Sequence, residues 1–427
     1  MKYTNIIQYL YTRNSIAQIT NKEKLINITQ SQSITLYCGF DPTSDSLHIG
    51  HLILLINLRR FQLFGHHPVI LIGGATGLIG DPSFKNSARK ICAINTVQKW
   101  VEKIKHQVSK FINCSNNHAS QAHIVNNYNW LSSISLLKFL REIGNFFSIN
   151  KMINKDSIKK RLQKNNHGIS YAEFSYNLLQ SYDFSYLYQN YNTILQIGGS
   201  DQWGNIISGI ELIHRIHKHN TYGITMPLLT TKYNTKFGKT EKNTIWLDPK
   251  KTSPYKFYQY WLNISDKKVY NFLKIFTNMP IEQIEDLKKE DKKNHKKPKA
   301  QTILAKKITQ LVHGRYGLKN AQNITNCLFT GKIHTLTLKD FKQLSQDGIP
   351  FLSLKFNTTL TLQQVLVEST LAFSKTQAKT LILSKSIRIN SMKQTKINYI
   401  FCATDKLYNR YTILQRGKKS FCLITWE

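Results

Sequence analysis

Short apolar runs alternate with helical patterns in the first half of the chain. Residues 34–40 and 68–72 are β-rich apolar runs, and the apolar run of residues 47–64 between them predicts a helix that ends at Gly65. Another β-rich run, residues 193–197, leads into glycines and a further predicted helix. A strand, a helix and a strand in succession predict a βαβ unit with parallel strands. The pattern therefore predicts a doubly wound, Rossmann-like α/β domain.

The second half of the chain has a different pattern. Residues 255–329 have helical periodicity, and a stretch with weak periodicity and turn residues follows them. After that stretch the pattern predicts two short helices and two strands, at residues 362–368, 375–384, 387–390 and 411–414. The predicted organisation is a Rossmann-like catalytic domain over residues 1–240, an α-helical domain over 241–330, a linker over 331–357 and a small α+β domain over 358–427.

Composition excludes several classes of protein. Hydrophobic residues make up 41% of the 427 residues, which is enough for real cores and excludes a disordered or collagen-like chain. No apolar run reaches the ~18 residues of a membrane span, and the first residues do not resemble a secretory signal. The six cysteines lack zinc or disulfide spacing. We therefore expect a cytoplasmic protein without a structural metal, which makes no use of a membrane.

The net charge is strongly positive. There are 59 Lys+Arg residues against 24 Asp+Glu residues, which leaves a formal charge of +35. One interpretation is a polyanionic partner, because such a field attracts phosphate backbones. The other is a solvated lysine-rich surface without a partner. Composition leaves both interpretations open.

The sharpest chemical pattern is a pair of histidines at the start of the first predicted βα helix. His48 and His51 are three residues apart, so their imidazoles share one helix face. The backbone N–H groups and the positive dipole end of a helix attract phosphate at the same place. Gly50 leaves room for a ligand against the backbone. This position predicts a phosphate-binding site.

Three weaker patterns accompany the histidines. Lys236 and Lys239 lie in a polar loop that could close on a triphosphate, although the pattern alone fits a surface loop better. Asp201 follows a predicted strand, where a carboxylate suits either ribose hydroxyls or a helix N-cap. The glycine-rich residues 73–81 lack the spacing of a dinucleotide fingerprint.

Together these motifs resemble one family, the bacterial tyrosyl-tRNA synthetases, which are class I aminoacyl-tRNA synthetases. The motifs occur in the order and at the spacing of that family, at residues 37–43, 48–51, 74–82, 176–180, 198–204 and 236–240. The resemblance covers essentially the whole chain and includes a C-terminal module similar to a small RNA-binding fold of a ribosomal protein.

The resemblance implies an activity and its partners. The enzyme would activate L-tyrosine with ATP to tyrosyl-adenylate and pyrophosphate, and would transfer tyrosine to the 3′-terminal adenosine of its tRNA. Mg²⁺ would accompany ATP, and the protein would be a homodimer. Two alternatives remain: a synthetase for another aromatic amino acid, and a catalytically inactive relative that binds RNA. The first fits poorly with tryptophan, because the indole lacks the hydroxyl that Tyr37 and Asp183 would bind.

The resemblance also implies residue roles. The tyrosine phenol would be bound by Tyr37 and Asp183, its ammonium group by Asp81, Tyr176 and Gln180, with Gln202 near its carboxylate. The triphosphate would be held by the catalytic residues Thr43, His48, His51, Lys236 and Lys239. The remaining ATP contacts would be Cys38, Gly39, Asp41, Gly50, Gly199, Asp201 and Thr240. The tRNA contacts would be Lys375, Lys379, Lys385 and Arg388.

Two departures from the family pattern concern the C-terminal module. Asn390 and Ser391 stand where the family commonly has an Asn-Gly turn, and a serine with positive φ costs roughly 1 kcal/mol. Lys375 and Lys379 stand where arginine is usual, and lysine lacks the bidentate fork of arginine. We therefore expect a weaker grip on RNA and an unchanged active site.

Overall fold

The computed structural model describes most of the chain as two compact units. The described residues are 5–82, 92–115, 119–155, 158–159, 162, 168–228, 244–293, 299–356, 359–418 and 420–427. The first unit comprises Met1–Leu247 and Tyr270–Asp286, and the second comprises Asp248–Val269 and Leu287–Glu427.

A six-stranded sheet forms the centre of the first unit. Its strands are β1 Gln18–Ile19, β2 Thr35–Phe40, β3 His67–Ile72, β4 His123–Asn126, β5 Thr193–Gly199 and β6 Tyr222–Met226. The order across the sheet is β1-β6-β5-β2-β3-β4, with β1 antiparallel at one edge and the other strands parallel. From β2 the chain winds outward through β3 and β4, then returns to add β5 and β6 on the other side. The predicted doubly wound fold is therefore confirmed.

Helices connect these strands. They are α1 Ile6–Thr12, α2 Lys22–Ser31, α3 Ile49–Leu63, α4 Thr76–Ile79, α5 Ile94–Val108, α6 Tyr128–Leu131, α7 Leu136–Glu142, α8 Ile149–Ile153, α9 Tyr171–Tyr191 and α10 Trp203–His217. The predicted first βα helix is confirmed as α3, and Gly65 follows it with a φ of 90°. Helix α9 begins at a capping box, in which Ser170 and Glu173 accept from each other's backbone N–H groups. None of the described helices combines the length and hydropathy that a membrane span requires.

Two buried arginines fix the end of α3 that lies away from its histidines. Arg13 and Arg60 both donate to the backbone oxygen of Thr277, at 2.8 and 2.7 Å. Arg13 also donates to the backbone oxygen of Met279 at 2.9 Å. Burial, together with the charge of Arg13, lowers the pKa of Arg60 to about 9. Carbonyl oxygens thus compensate the two buried charges and anchor α3.

The second unit combines helices with a smaller sheet. Its helices are α11 Pro254–Leu262, α14 Ala300–Thr330, α15 Leu338–Gln343, α16 Leu362–Glu368 and α17 Lys375–Leu383, while α12 Asp266–Phe276 and α13 Ile281–Lys293 are divided between the units. Its strands are β7 Phe351–Leu354, β8 Ile387–Ile389, β9 Met392–Lys393, β10 Tyr411–Arg416 and β11 Ser420–Trp426, in the order β7-β11-β10-β8-β9. The predicted helical stretch, the two short helices and the two strands are all present.

The stretch that we predicted to be a linker is folded. Residues 331–357 contain α15 and β7, and β7 pairs in parallel with β11. Phe341 and Leu344 are fully buried in one apolar cluster with Tyr255, Ile324 and Ile413. These elements are short and their partners are distant in sequence, so local periodicity could not show them. Helices and sheet of the second unit therefore share a core through this stretch.

The predicted two-residue turn with positive φ is present between β8 and β9. Asn390 has a φ of 47° and Ser391 a φ of 75°. The side chain of Asn390 donates to the backbone oxygen of Asp405 at 2.7 Å and accepts from the backbone N–H of Ile413 at 2.9 Å. These two bonds hold the turn that Ser391, as a residue with a Cβ, tends to strain.

Candidate active site

A cavity of about 230 Å³ opens in the first unit at the carboxyl ends of β2 and β5. These neighbouring strands lie where the winding of the sheet reverses, which is where ligands bind in open α/β sheets. The cavity is lined by thirteen of the residues predicted from the sequence: Gly39, Asp41, Thr43, His48, Gly50, His51, Asp81, Tyr176, Gln180, Asp183, Gly199, Asp201 and Gln202.

The rings of His48 and His51 are held in fixed orientations at the start of α3. His48 accepts from the backbone N–H of Gly50 at 3.0 Å through Nδ1, and Nδ1 of His51 accepts from the backbone N–H of His48 at 3.2 Å. The two rings stack with their centroids 3.9 Å apart. An imidazole that accepts at Nδ1 carries its proton at Nε2. Each ring is therefore set to donate from Nε2, as binding of a phosphate oxygen requires.

Gly50 is required by the ring that packs over it. A Cβ atom at this position would lie 2.8 Å from Cε1 and 2.9 Å from Nδ1 of His48, closer than real Cβ contacts. A side chain would thus displace the imidazole of His48. From the sequence we expected Gly50 to leave room for a ligand. In the structure, the side of Gly50 where a Cβ would lie faces the imidazole of His48.

The deep end of the cavity contains a buried carboxylate. Asp183 is 2% exposed. It accepts from Nδ2 of Asn127 at 2.9 Å and from Nε1 of Trp130 at 2.7 Å. Burial raises the pKa of Asp183 to about 7, and these two hydrogen bonds only partly oppose the rise. This carboxyl therefore ionises less readily than an exposed one.

A buried phenol, that of Tyr37, lies near this carboxylate but is not among the residues that line the cavity. The hydroxyl of Tyr37 is buried and has no hydrogen-bond partner within the described part of the chain. Burial and the nearby charge of Asp183 raise the pKa of Tyr37 well above its usual value, so the hydroxyl keeps its proton. Its ring packs against Phe184, with the centroids 5.1 Å apart. Tyr37 is thus a buried donor whose hydrogen-bonding capacity is unused.

Asp41 orients Tyr176. The carboxylate of Asp41 accepts from the hydroxyl of Tyr176 and from the hydroxyl of Thr76, both at 2.7 Å. The single proton of the Tyr176 hydroxyl is therefore committed, and its oxygen meets any ligand as an acceptor. We assigned Asp41 to ATP from the sequence. It does line the cavity, but its hydrogen bonds serve Tyr176.

A chain of amides follows at the same side of the cavity. Asn205 donates from Nδ2 to Oε1 of Gln180 at 3.0 Å and to Oε1 of Gln202 at 3.3 Å. Gln202 in turn donates from Nε2 to the carboxylate of Asp81 at 2.7 Å. Acceptor oxygens of Asp81, Tyr176 and Gln180 thus gather in one cavity, and such a set suits a cationic group.

Several predicted residues lie elsewhere. Cys38 is buried beside the cavity without lining it, and burial raises the pKa of its thiol strongly. Lys236, Lys239 and Thr240 lie outside the described residues. The predicted RNA contacts belong to the second unit, where Lys375, Lys379 and Lys385 are exposed and Arg388 is half-buried.

Sequence reasoning missed the residues that orient the predicted ones. Asn127 and Trp130 follow β4, a strand without a clear sequence signal, and hold Asp183. Gln196 lines the cavity from β5, and its buried Oε1 has no partner among the described residues. A polar residue inside an apolar strand is the one signal that could have identified Gln196. Asn205 lay in a predicted helix with nothing to single it out.

Comparison with known proteins finds two family models that match this chain. Residues 29–330 match the family model of class I tRNA synthetases (W and Y), and residues 340–424 match the C-terminal domain model of SYY-like tyrosine–tRNA ligases. The fold and the site thus define a class I aminoacyl-tRNA synthetase of the tryptophan and tyrosine branch.

Individual relatives narrow the assignment. A tyrosine–tRNA ligase of Blochmanniella pennsylvanica (strain BPEN) is 70% identical and covers 100% of this chain and 99% of its own length. One from Yersinia pestis is 53% identical and covers 100% of both. A C-terminally truncated mitochondrial tyrosyl-tRNA synthetase of Aspergillus nidulans has a TM-score of 0.70 at 28% identity, over 77% of this chain and 95% of that one. The chain belongs to the tyrosine–tRNA ligase family.

Proposed function

We propose that this protein activates L-tyrosine with ATP and transfers the tyrosyl group to the 3′-terminal adenosine of its tRNA. In the first step a carboxylate oxygen of tyrosine forms a bond to the α-phosphorus of ATP, and pyrophosphate leaves. The carboxylate is itself the nucleophile, so no residue has to be one. The work of the protein is to position the reactants and to stabilise the charge that develops on the phosphates.

The observation that carries this proposal is the pair of buried polar groups formed by Tyr37 and Asp183. Among the described residues, the Tyr37 hydroxyl has no acceptor for its proton, and Asp183 receives its hydrogen bonds from neutral donors. A phenol provides a hydrogen bond to both residues at once, because its oxygen accepts from the hydroxyl of Tyr37 while its O–H donates to the carboxylate of Asp183. Phenylalanine satisfies neither, and tryptophan has no hydroxyl. The pair therefore supports selection of tyrosine.

The remaining groups of the cavity are proposed to hold the rest of the reactants. The acceptor oxygens of Asp81, Tyr176 and Gln180 take the ammonium group of tyrosine, and Gln202 lies beside its carboxylate. The nucleoside lies against Gly39, Gly199 and Asp201, while Cys38 is buried beside the cavity. Asp41, predicted as an ATP contact, orients Tyr176 at the ammonium site instead.

The triphosphate is proposed to meet the start of α3. His48 and His51 donate from Nε2 beside Thr43, and Gly50 leaves room for the His48 ring that binds the phosphate. The loop residues Lys236, Lys239 and Thr240 complete the set. Mg²⁺ enters with ATP as its counter-charge. The described residues contain no group of three or more His, Cys, Asp or Glu that could hold a metal ion of their own.

The C-terminal module is proposed to bind the tRNA through Lys375, Lys379, Lys385 and Arg388. In the second sheet Arg388 lies directly opposite Lys393 across the β8–β9 hairpin. Like charges at such a position destabilise a sheet, and a phosphate between them reverses the sign of that effect. This pair supports a polyanion at this face of the module.

A homodimer is proposed from an apolar surface on α7 and α8. Leu136, Leu137 and Ile149 are 70%, 80% and 63% exposed. Large apolar side chains exposed in neighbouring helices are typical of an interaction surface. Sedimentation should therefore give twice the mass of one chain, and Leu137→Glu should shift it toward the monomer.

The reaction is proposed to take place in the cytoplasm, which the six free cysteines support.

ATP–pyrophosphate exchange with a panel of amino acids tests the central proposal. We expect exchange with tyrosine, and exchange with phenylalanine and tryptophan only at far higher concentrations. Exchange that follows another amino acid would assign the pocket to that substrate. Binding of tRNA without exchange for any amino acid would favour the inactive RNA-binding relative.

A further inference from the structure

Lys155 follows α8 and contacts one end of a chain of hydrogen-bonded amides, which consists of Asn177, Asn205, Gln180 and Gln202. Its Nζ donates to Oδ1 of Asn177 at 2.7 Å, to Oγ of Ser208 at 2.5 Å and to the backbone oxygen of Gly204 at 3.2 Å. Burial lowers the pKa of Lys155 to about 8, while the charge of Glu211 opposes this effect. At neutral pH the group is still mainly an ammonium ion, which donates hydrogen bonds and accepts none.

A donor-only group at one end fixes the orientation of every amide that follows. Asn177 must turn its oxygen to Lys155, so its Nδ2 faces Oδ1 of Asn205, to which it donates at 2.8 Å. Nδ2 of Asn205 then faces the oxygens of both Gln180 and Gln202. The chain ends where Gln202 donates to Asp81. All its bonds run in one direction, from a cation to a carboxylate.

We propose that Lys155 is a positioning residue that fixes this chain of amides, so that Gln180 keeps its orientation and Asp81 stays in place for the substrate ammonium group. Without Lys155 the direction of the chain is set only from its other end, by Asp81 through Gln202 and Asn205. A turned Asn177 would then place an acceptor against the acceptor Oδ1 of Asn205. The mismatch then passes along the chain to Gln180 and Gln202. This inference rests on the proposed assignment of the ammonium site.

Replacement of Lys155 should therefore weaken the binding only of ligands that carry the ammonium group. The measurement is the Kd of tyrosine and of its deaminated analogue 3-(4-hydroxyphenyl)propionate, by calorimetry in the absence of tRNA. We expect Lys155→Met to weaken tyrosine binding about tenfold, as for the loss of a hydrogen bond of ordinary strength. Binding of the analogue should change less than about twofold.

Three further variants make the test specific. Lys155→Arg keeps a donor-only cation and should retain most of the tyrosine affinity. Asn177→Asp still accepts from Lys155 but cannot donate to Asn205, so it should reproduce the loss even if Lys155→Met folds poorly. Lys151→Met, an exposed lysine on α8, is the matched control and should change neither Kd. Unfolding in urea checks that each variant is folded.

Two results would overturn the inference. Equal weakening of tyrosine and of the analogue by both Lys155→Met and Asn177→Asp would show a general structural role. Unchanged tyrosine binding in both variants would show that the chain does not act on the site. Asp81→Asn separates this from the proposed function: if it leaves the preference for tyrosine over the analogue intact, the assignment of the ammonium site itself is wrong.

Discussion

Replacing Asp183 with asparagine should stabilise the fold at high pH while removing the preference for tyrosine. The carboxyl of Asp183 is buried, and its pKa is about 7 in the folded protein, against about 3.9 in an unfolded chain. A carboxyl whose pKa is raised by folding resists ionisation there. Its destabilising effect is therefore absent below the unfolded pKa, grows as the pH rises toward 7, and is constant above that.

The magnitude follows from the two pKa values. A shift of about three units corresponds to about 4 kcal/mol of destabilisation once the group is ionised. Between pH 5 and pH 8 the part that develops is about 2–3 kcal/mol. Asparagine avoids this cost but can accept from only one of its two donor neighbours, Asn127 and Trp130, which costs about 1–3 kcal/mol at every pH. The variant should therefore gain about 2–3 kcal/mol relative to the native protein between these two pH values.

Urea unfolding at pH 5 and pH 8 measures this difference. Asp45→Asn is the control, because Asp45 is a carboxylate paired with Lys103 at 2.9 Å near the surface and should show no such gain with pH. Pyrophosphate exchange on the same variants should show the ratio of kcat/KM for tyrosine over phenylalanine falling by well over tenfold for Asp183→Asn alone. A stability difference that is constant with pH would refute the buried-carboxylate argument, and an intact ratio would refute the role in selection.

Four further predictions concern other parts of the protein. Tyr37→Phe should lower the tyrosine-over-phenylalanine ratio of kcat/KM about tenfold without loss of stability in urea, because it removes a buried unpaired hydroxyl. Gly50→Ala should raise the KM for ATP, since its Cβ displaces His48; an unchanged KM would contradict this. Lys239→Ala should raise the activation free energy of adenylate formation, measured in a single turnover, by about 3–4 kcal/mol, while tyrosine binding is retained. Lys375→Gln with Lys379→Gln should weaken tRNA charging and leave pyrophosphate exchange unchanged.

The elements that the sequence predicted correctly are those whose signal is local. The β2–α3–β3 unit has continuous apolar runs, a capped helix start and Gly65 at the helix end, so each boundary is set by neighbouring residues. Strands β4 and β6 are short, and their burial depends on β3 and β5, which lie far away in sequence. The stretch of residues 331–357 was misjudged for the same reason. Its apolar residues are buried by helices and strands on both sides of it in the sequence.

The site shows the same division at the level of side chains. Tyr37 and His48 were predicted because they belong to motifs in a fixed order, and Asp183 because the family resemblance implies its role. The groups that orient them, such as Asn127 and Asn205, are ordinary polar residues whose importance depends on a single partner. Their hydrogen bonds join elements that are distant in sequence, and no spacing rule connects such residues. A motif therefore predicts which groups meet the ligand, whereas the structure is needed for the groups that hold them.

Two buried polar groups in or beside the cavity have no hydrogen-bond partner among the described residues. The Tyr37 hydroxyl and Oε1 of Gln196 are buried without partners among the described residues, and Asp183 is held as a carboxyl that resists ionisation. Each unpaired group weakens the fold by about 1–3 kcal/mol. A ligand that satisfies them recovers this free energy on binding, and one that lacks the hydroxyl does not. On the proposed assignment of Tyr37 and Asp183, selection between tyrosine and phenylalanine arises from polar groups left unpaired rather than from the size of the pocket, because the two side chains differ by a single oxygen atom.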